Sequence, residues 1–444
     1  MSFAASSLRP ATRAAIASAV RHASTHHKIV IIGGGTGGIN IANQLLDTYA
    51  REAKSSGTLA LKKDDIAIVD GASVHHYQPG WTLVGAGLAN KTDLNRPLAS
   101  LVPADVKLHN TNVAEIDAAA NKITTGTGDS ITYDHLIVAA GLDIKWGAIA
   151  GLPETLGKNG VSSIYSYDTC DVAQNDIKAL KCGKAIFTQP AGVVKCAGAP
   201  QKVMWMAEDA WRNAGVRDEI DLEFNTGMGA MFAVPKYAKA LEQLRVDRGV
   251  KGAFTSDLVA VDGQAHIATF KQADGTTVDK TFDLLHVVPK MGSHAFVAKS
   301  ALADAAGFVD VHSATLQSKK FDNVWSLGDS SSLPTSKTAA AIFSQTPVLA
   351  HNFHRVAHGK TANASYDGYT SCPLLVSYGK LILAEFKYGG VPDETFGGKF
   401  GFDQAKPARF AYHLKKDVFP WAYFNYGVKG QWFGRNSFFR PTFN

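Results

Sequence analysis

The segment Lys28–Leu45 constrains the fold of this chain more than any other stretch. Its apolar run Ile29–Ile32 predicts a buried parallel strand, and a helical pattern follows at once. Gly33, Gly35 and Gly38 between them have the spacing GxGxxG, which permits a tight turn, close approach of a pyrophosphate to the backbone, and packing of helix on strand. Taken alone, the glycines would also fit a plain glycine-rich turn.

A second predicted strand, Asp65–Asp70, ends in a carboxylate at the place where a ribose hydroxyl is usually bound. The interval from Gly38 to Asp70 exceeds the spacing of about 20 residues that is usual for this motif. The polar stretch Arg51–Asp64 is therefore expected to form a longer helix or an inserted loop. Together the two strands and the turn predict a dinucleotide-binding domain.

Composition limits the class of protein. The chain has 444 residues, enough for two or three domains, and its 45% hydrophobic content with 41 glycines suits a soluble α/β protein. No uninterrupted apolar run approaches the roughly 18 residues of a membrane-spanning helix. A net charge of +6 is no nucleic-acid signature, and four scattered cysteines without a CxxC pair favour neither a disulfide scaffold nor a structural zinc site. No metal site is predicted.

The N-terminus is basic and rich in alanine and serine. It contains Arg9, Arg13 and Arg21, whereas the first acidic residue of the chain is Asp47. A helix over Ala4–Val20 would be amphipathic and basic, which is typical of a mitochondrial transit peptide. Residues 1–27 are assigned to such a leader, and the alternative is a merely disordered N-terminus.

A second Rossmann-like domain is expected over residues 145–285, with a strand at Lys184–Thr188. The turn after it, Gln189–Lys202, is not glycine-rich, so a second dinucleotide could not approach its backbone closely. Instead Cys196 stands between lysines, just before a helix predicted over Pro200–Asn213, where a thiolate is favoured. The alternative is a buried, inert cysteine.

The C-terminal half is predicted to return to the first domain. An apolar strand ends in Gly-Asp at Asp329, before a Ser/Thr-rich turn and an Ala-rich helix. Asp329 could accept a hydrogen bond from a cofactor hydroxyl, or could be a turn or N-cap residue. Further on, Cys372 stands in a turn that leads into a strand.

The stretch Phe419–Asn444 holds ten aromatic residues and no carboxylate. Aromatic and basic residues without a spanning length favour a pair of helices in a membrane interface. Headgroup-level aromatics would be Trp421, Tyr423, Phe424, Trp432 and Phe433, and the cations meeting lipid phosphates would be Lys415, Lys416, Lys429 and Arg435. The alternatives are a dimer contact or a tail that covers the core.

Four motifs, HYQPGWTLVGAG, VKCAGAPQK, GDSSSLPTSKTAAA and GYTSCPL, resemble the mitochondrial-type sulfide:quinone oxidoreductases of the two-dinucleotide-domain flavoproteins. The resemblance covers most of residues 28–444 and implies a non-covalent FAD with a redox pair, Cys196 and Cys372. Together with the glycine motif, it places the cofactor contacts on Gly33, Gly35, Thr36, Gly37, Gly38, Asp70, Gln78, Val113, Asp329, Lys337, Thr338, Ala339 and Ala340.

The implied reaction is the oxidation of hydrogen sulfide. HS⁻ would attack a bridge between Cys196 and Cys372, either a disulfide or one with an inserted sulfur, leaving a persulfide on one cysteine and a thiolate on the other. Two electrons would pass to FAD and then to ubiquinone, and a small acceptor (sulfite, glutathione or cyanide) would take the sulfane sulfur. Lys195 and Lys202 would favour anionic sulfur. Cys170 and Cys182 are treated as structural because they stand in no matching motif.

The expected fold class is α/β with two Rossmann-like domains. Residues 28–144 and 286–365 would form the FAD domain, 145–285 a nicotinamide-type domain without its glycine loop, and 366–444 a C-terminal membrane-associating region. The protein would be peripheral (monotopic) on the mitochondrial inner membrane, on the matrix side, with a homodimer allowed and no nucleic-acid partner. Competing interpretations are an NADH:quinone oxidoreductase, disfavoured by the missing glycines, and a flavin-bound interaction scaffold.

Overall fold

A computed structural model describes residues 23–57 and 59–443. Residues 1–22 of the predicted transit peptide lie outside the described residues. The first strand begins at Ser24, so residues 24–27, which the sequence interpretation assigned to the leader, lie in a sheet.

The strands belong to two large parallel-rich sheets and several small ones. In chain order they are β1 Ser24–Ile32, β2 Ile66–Val69, β3 Val74–His76, β4 Asn95–Pro97, β5 Val106–His109, β6 Val113–Asp117, β7 Lys122–Thr125, β8 Ser130–Val138, β9 Asp143–Ile144, β10 Val161–Ser162, β11 Gly183–Gln189, β12 Ile220–Thr226, β13 Lys251–Phe254, β14 Asp257–Asp262, β15 Ile267–Lys271, β16 Thr277–Thr281, β17 Leu284–His286, β18 Met291–Gly292, β19 Val324–Ser326, β20 Thr370–Ser377, β21 Lys380–Lys387 and β22 Val391–Pro392.

The α-helices, in the same order, are α1 Thr36–Ser56, α2 Trp81–Gly85, α3 Leu152–Thr155, α4 Cys170–Ala179, α5 Ala199–Asn213, α6 Pro235–Asp247, α7 Ala295–Ala298, α8 Ala339–Ala357, α9 Gly397–Phe400, α10 Arg409–His413 and α11 Phe419–Asn425. The expected strand at Asp65–Asp70 and the helix at Pro200–Asn213 are confirmed as β2 and α5. The Arg51–Asp64 stretch was expected to form a longer helix or a loop, and it forms both, because α1 continues to Ser56 and a loop follows.

The first domain is built on a sheet of order β5-β2-β1-β8-β7-β6, with β19 also paired to β8. Strands β5, β2, β1, β8 and β19 are parallel, and β2, which lies between β5 and β1, is buried at every residue. A strand buried on both faces needs an unbroken apolar sequence, which explains the runs in β1 and β2. Because β19 joins this sheet, the chain returns to the first domain after the second one.

The second domain has a parallel sheet of order β10-β17-β11-β12-β13, with an antiparallel β14-β15-β16 sheet beside it. A third unit, β20-β21-β22, is antiparallel and shares a hydrophobic core with α5. The α/β class with two Rossmann-like domains is thus confirmed. Ligand sites in such folds lie at the carboxyl ends of parallel strands. The glycine turn follows the end of β1, and the segment with Cys196 follows the end of β11.

The C-terminal region differs from the predicted pair of membrane helices. Helix α10 continues through a π-helical turn, Leu414–Val418, into α11, and 3₁₀ turns follow at Gly427–Lys429 and Gly434–Asn436. Among the described residues, no helix combines the length and the hydropathy needed to cross a bilayer.

Candidate active site

The glycine turn after β1 leaves no room for side chains at two positions. Gly33 has φ +105°, and a Cβ there would collide with the carbonyl of Ala139 at the end of β8. A Cβ on Gly38 would collide with the carbonyl of Gly33, so this glycine lets α1 pack on the strand. Asp70, directly after β2, accepts a hydrogen bond from Gly34 N at 2.6 Å and so joins the two strand ends.

A cavity of about 630 Å³ lies in front of this turn. It is lined by most of the residues expected to bind the cofactor: Gly33, Gly35, Thr36, Gly37, Asp70, Gln78, Asp329, Lys337, Thr338, Ala339 and Ala340. Gly38 is a packing residue behind the turn. Val113 lies at the start of β6, outside the lining and nearly fully buried.

The charges in this cavity fit FAD. Lys337 is buried and donates to Ser331 O at 2.6 Å, while Asp329 faces the same space. Burial raises the pKa of Asp329 and lowers the pKa of Lys337, so each group lacks full solvation where it stands. A side-chain-free turn at a helix N-terminus suits a pyrophosphate, and Asp329 suits a polyol hydroxyl. These features fit the FAD that the resemblance implies.

The second half of the site is a tight turn at Cys196. Its φ is +50°, an uncommon conformation for a residue with a Cβ. The turn is held on both sides, because Cys196 N donates to Lys337 O at 2.7 Å and Ala199 N donates to Cys196 O at 2.7 Å. The hydroxyl of Tyr165 also donates to Lys195 O at 3.0 Å. These bonds fix the thiol just before α5, at the wall of the cavity.

Cys372 comes to the same place from β20, where it is the third residue. The two Sγ atoms are 3.7 Å apart, although 176 residues separate them in sequence. The close approach depends on Gly198, because a Cβ there would lie 2.5 Å from the Sγ of Cys372. Cys196 and Cys372, which were expected to form a pair, therefore lie side by side, because β20 contacts the start of α5.

The electrostatics around the pair favour a thiolate on Cys196. The Cys372 thiol donates to it and the Lys202 ammonium lies 3.2 Å away, and together they hold the pKa of Cys196 well below its usual value. The pKa of Cys372 is raised by that same hydrogen bond and by burial. One cysteine is thus poised as a nucleophile or leaving group and the other as a proton donor.

The two lysines predicted beside Cys196 have different roles. Lys202, 1% exposed, is the contact that the sequence predicted. Lys195 donates instead to Gln78 Oε1 at 2.9 Å. A third lysine, Lys415, is also buried, and its Nζ donates to Pro79 O at 2.7 Å. Burial and the nearby Lys202 lower its pKa to about 7.

The remaining cysteines are placed apart from this pair. Cys170 is buried at the start of α4, where burial raises its pKa to about 11, and Cys182 is exposed. Among the described residues, no group of three or more His, Cys, Asp or Glu side chains could hold a metal ion.

Several residues expected at the lipid headgroups are turned inward. Tyr423 and Phe433 are buried, and Lys415 lies beside the cysteine pair. The core-covering alternative therefore describes these residues. Trp421 is exposed as expected, while Phe424 and Trp432 are half-buried.

The cavity also has an apolar wall formed by the C-terminal region, at Phe396, Leu414, Val418, Phe419, Trp432 and Phe438. Phe396 packs on Phe400 and Phe410, and Phe438 packs on Trp432. Around this wall stand exposed aromatic side chains, which we call the aromatic rim: Phe400, Phe402, Phe410, Trp421, Phe438 and Phe439.

Comparisons with known proteins place the chain in a family. The family model "Pyridine nucleotide-disulphide oxidoreductase" matches residues 27–191. The mitochondrial sulfide:quinone oxidoreductase of Schizosaccharomyces pombe is 50% identical over 434 residues, covering 95% of each chain. The chain belongs to the sulfide:quinone oxidoreductase family. The resemblance drawn from the four motifs is thereby confirmed.

One further relative supports the family assignment, and one solved structure supports the fold. The mitochondrial sulfide:quinone oxidoreductase of Dictyostelium discoideum is 45% identical, covering 93% of this chain and 88% of the relative. The structure of the Aquifex aeolicus sulfide:quinone oxidoreductase superposes with a TM-score of 0.70 at 18% identity, covering 90% of this chain and 92% of that one. At that identity the superposition supports the fold.

Sequence reasoning did not single out Tyr165 and Gly198 as residues of the site, and it assigned the tail residue Tyr423 to the lipid headgroups. Gly198 stands inside VKCAGAPQK, so the motif carried its signal. Tyr423 gave no local signal, since an aromatic residue in a basic tail looks the same whether it faces lipid or protein.

Proposed function

We propose that this protein oxidises hydrogen sulfide with the Cys196–Cys372 pair and passes two electrons through FAD to ubiquinone. The observation that carries this proposal is the pair itself, because Cys196 lines the FAD cavity with the Cys372 thiol 3.7 Å away and Lys202 3.2 Å away. A structural cysteine pair would not need a buried cation or a strained turn.

The sulfur chemistry balances on the two cysteines. HS⁻ attacks the oxidised bridge, forms a new S–S bond as a persulfide, and breaks the bond to the other cysteine, which leaves as a thiolate. A small acceptor such as sulfite, glutathione or cyanide then removes the outer sulfur. Both cysteines are now reduced, and their reoxidation to the bridge releases two electrons.

Each neighbouring group has a role in this sequence. Lys202 offsets negative charge as Cys196 becomes a thiolate, and Lys415 adds a second positive charge when it is protonated. The backbone bonds to Lys337 and Ala199 keep Cys196 facing the cavity while its charge changes. Bound FAD supplies an acceptor for the two electrons and a donor of two electrons to the quinone.

The C-terminal region suits the quinone half of the reaction. The apolar wall between Phe396 and Phe438 is continuous with the FAD cavity, and the aromatic rim surrounds it. Aromatic side chains of this kind prefer the membrane interface. We therefore propose that the quinone binds at this wall. We also propose that the protein is bound peripherally to the matrix side of the mitochondrial inner membrane. A homodimer stays an expectation.

The rival NADH:quinone activity finds no support at the second domain's turn. After β11 the chain buries Val194 and pairs Lys195 with Lys337 of the FAD domain. The backbone that would meet a second pyrophosphate is therefore committed to holding the cysteine. NADH is expected neither to bind nor to reduce the flavin.

The deciding experiment separates sulfide reactivity from flavin loading. Cys196→Ala and Cys372→Ala should each retain FAD, while sulfide no longer bleaches the flavin in anaerobic stopped-flow spectra. Cys170→Ala and Cys182→Ala are the matched controls and should bleach at the wild-type rate. Bleaching by sulfide in either pair variant, or bleaching of the wild type by NADH, would overturn the proposal.

A further inference from the structure

The hydroxyl of Tyr423 lies between two residues of the FAD domain. It is 2.7 Å from Thr36 Oγ1 and 2.7 Å from His75 Nε2, and the three residues are separated from one another in sequence by up to 387 positions. Tyr423 is 3% exposed and packs on Tyr77 and Phe343. The C-terminal segment therefore places a fixed hydrogen-bonding group inside the first domain.

Both partners of Tyr423 belong to the glycine turn or hold it. Thr36 is the first residue of α1, and the other ring nitrogen of His75 lies 3.1 Å from Gly34 O. Gly34 N in turn donates to Asp70. Burial lowers the pKa of His75, so its ring is neutral, with one nitrogen as donor and the other as acceptor. The turn is thus held by one connected network of hydrogen bonds.

The same segment contacts α1 directly beyond Tyr423. Asn40 and Asn43 donate to Gly427 O at 3.2 Å and to Val428 O at 3.0 Å. A Cβ on Gly430 would lie 2.8 Å from Asn43 Cβ, so the backbone needs glycine there to approach the helix. Helix α1 begins at the turn assigned to the FAD pyrophosphate, and the tail lies along it.

We propose that Tyr423 positions the glycine turn and couples docking of the C-terminal segment to FAD binding. The turn binds a pyrophosphate well only when its N–H groups converge, and the Tyr423 network fixes the residues on either side of those groups. Coupling of this kind is reciprocal: a docked segment raises the affinity for FAD, and bound FAD strengthens docking by the same factor. The proposal does not depend on the sulfide chemistry.

The first test is the affinity of the apoprotein for FAD. Tyr423→Phe keeps the ring and removes the hydroxyl, and it should raise the dissociation constant for FAD about tenfold, as expected for one lost buried hydrogen bond. Tyr426→Phe is the control, since it also removes a hydroxyl from the C-terminal segment. The ring of Tyr426 packs on Trp421 and Phe438 and not on the glycine turn.

The second test measures the reciprocal effect in the wild-type chain. Amide hydrogen exchange at Ala422–Val428 should slow on addition of FAD, while exchange in β14–β16, far along the chain in the other domain, should not change. Equal FAD affinity for Tyr423→Phe and wild type would overturn the proposal. An exchange rate at Ala422–Val428 that is the same with and without FAD would also overturn it, because that is the result expected if Tyr423 has only a structural role.

Discussion

Gly198 sets how closely the two cysteine-bearing elements meet. Its α-carbon faces Cys372 across the start of α5, and a methyl group there would lie 2.5 Å from the Sγ atom. We expect Gly198→Ala to push β20 away from the helix and so to separate the thiols. A misplacement of about 1 Å typically costs about 100-fold in rate. We expect a loss of that order in the rate at which sulfide reduces the bound flavin.

FAD content should be unchanged in Gly198→Ala, because the residue lies behind the cysteine pair. Gly229→Ala is the matched control: a Cβ there would meet no neighbour within 4 Å, and the residue lies in the same domain. A Gly198→Ala variant with the wild-type rate would show that the thiols tolerate a wider separation than the structure indicates.

Lys415 predicts a pH dependence with a definite sign. Because burial lowers its pKa to about 7, the side chain is charged below that pH and neutral above it. Raising the pH through 7 therefore removes one of two buried cations beside the pair. At a fixed HS⁻ concentration, flavin reduction should slow several-fold across this range, with an inflection near pH 7.

Lys415→Met should remove that inflection and show the slower rate at every pH. Lys416→Met, one residue on, changes a lysine that pairs with Asp417 at 2.9 Å on the surface, and it should keep the wild-type profile. An inflection that persisted in Lys415→Met would assign the titration to another group.

At the scale of single residues, sequence reasoning succeeded where function fixes a residue within a short motif. Cys196, Asp329 and Lys337 line the predicted cavity. It failed for Lys415, whose charge suggested lipid phosphates. The π-helical turn at Leu414–Val418 carries this side chain inward, and no sequence period announces such a turn.

At the scale of elements, the C-terminal segment is part of the FAD domain rather than an appendage. If the segment were only the membrane-associating region expected from the sequence, removing Phe419–Asn444 would leave a soluble protein with FAD bound. The structure leads to the opposite prediction, because Tyr423 and Val428 are buried in a cluster with Ile39 and Phe343. A chain ending at Val418 should unfold at a lower temperature and lose its flavin on desalting.

The measurement is the ratio of flavin to protein absorbance after gel filtration, together with thermal unfolding of the apoprotein. A chain that lacks only the last four residues, Pro441–Asn444, is the control and should keep its flavin. If the chain ending at Val418 kept its full FAD content, the segment would be a separate anchor and not a part of the FAD domain.

The strands and helices that bind the cofactor were predictable because local patterns specify them. An apolar run followed by GxGxxG leaves few alternatives to β1, a turn and α1. The path of the C-terminal segment was not predictable, because its contacts with Thr36 and His75 join residues about 350 to 390 positions apart. Composition indicated an aromatic tail, and only tertiary packing determines which aromatic residues face outward.

At the scale of the whole molecule, the aromatic rim is the surface that we expect to meet the bilayer. Phe400 and Phe402 are 66% and 53% exposed, and Lys406 and Arg409 stand exposed beside them. Replacing Phe402, Trp421 and Phe439 together by serine removes exposed apolar surface. It leaves the FAD turn and the contacts of Phe396 with Phe400 and Phe410 untouched. The variant should bind anionic liposomes several-fold more weakly, as measured by flotation.

The same variant should separate two quinone activities. Reoxidation by a long-chain quinone held in liposomes should fall with membrane binding, whereas a water-soluble short-chain quinone should react at the wild-type rate because the apolar wall is intact. Leu59→Ser, which removes a side chain that is 84% exposed outside the rim, is the control. High salt should weaken binding only partly, since screening acts on the cations and not on the buried apolar area. Unchanged flotation of the triple variant would place the membrane contact on another face.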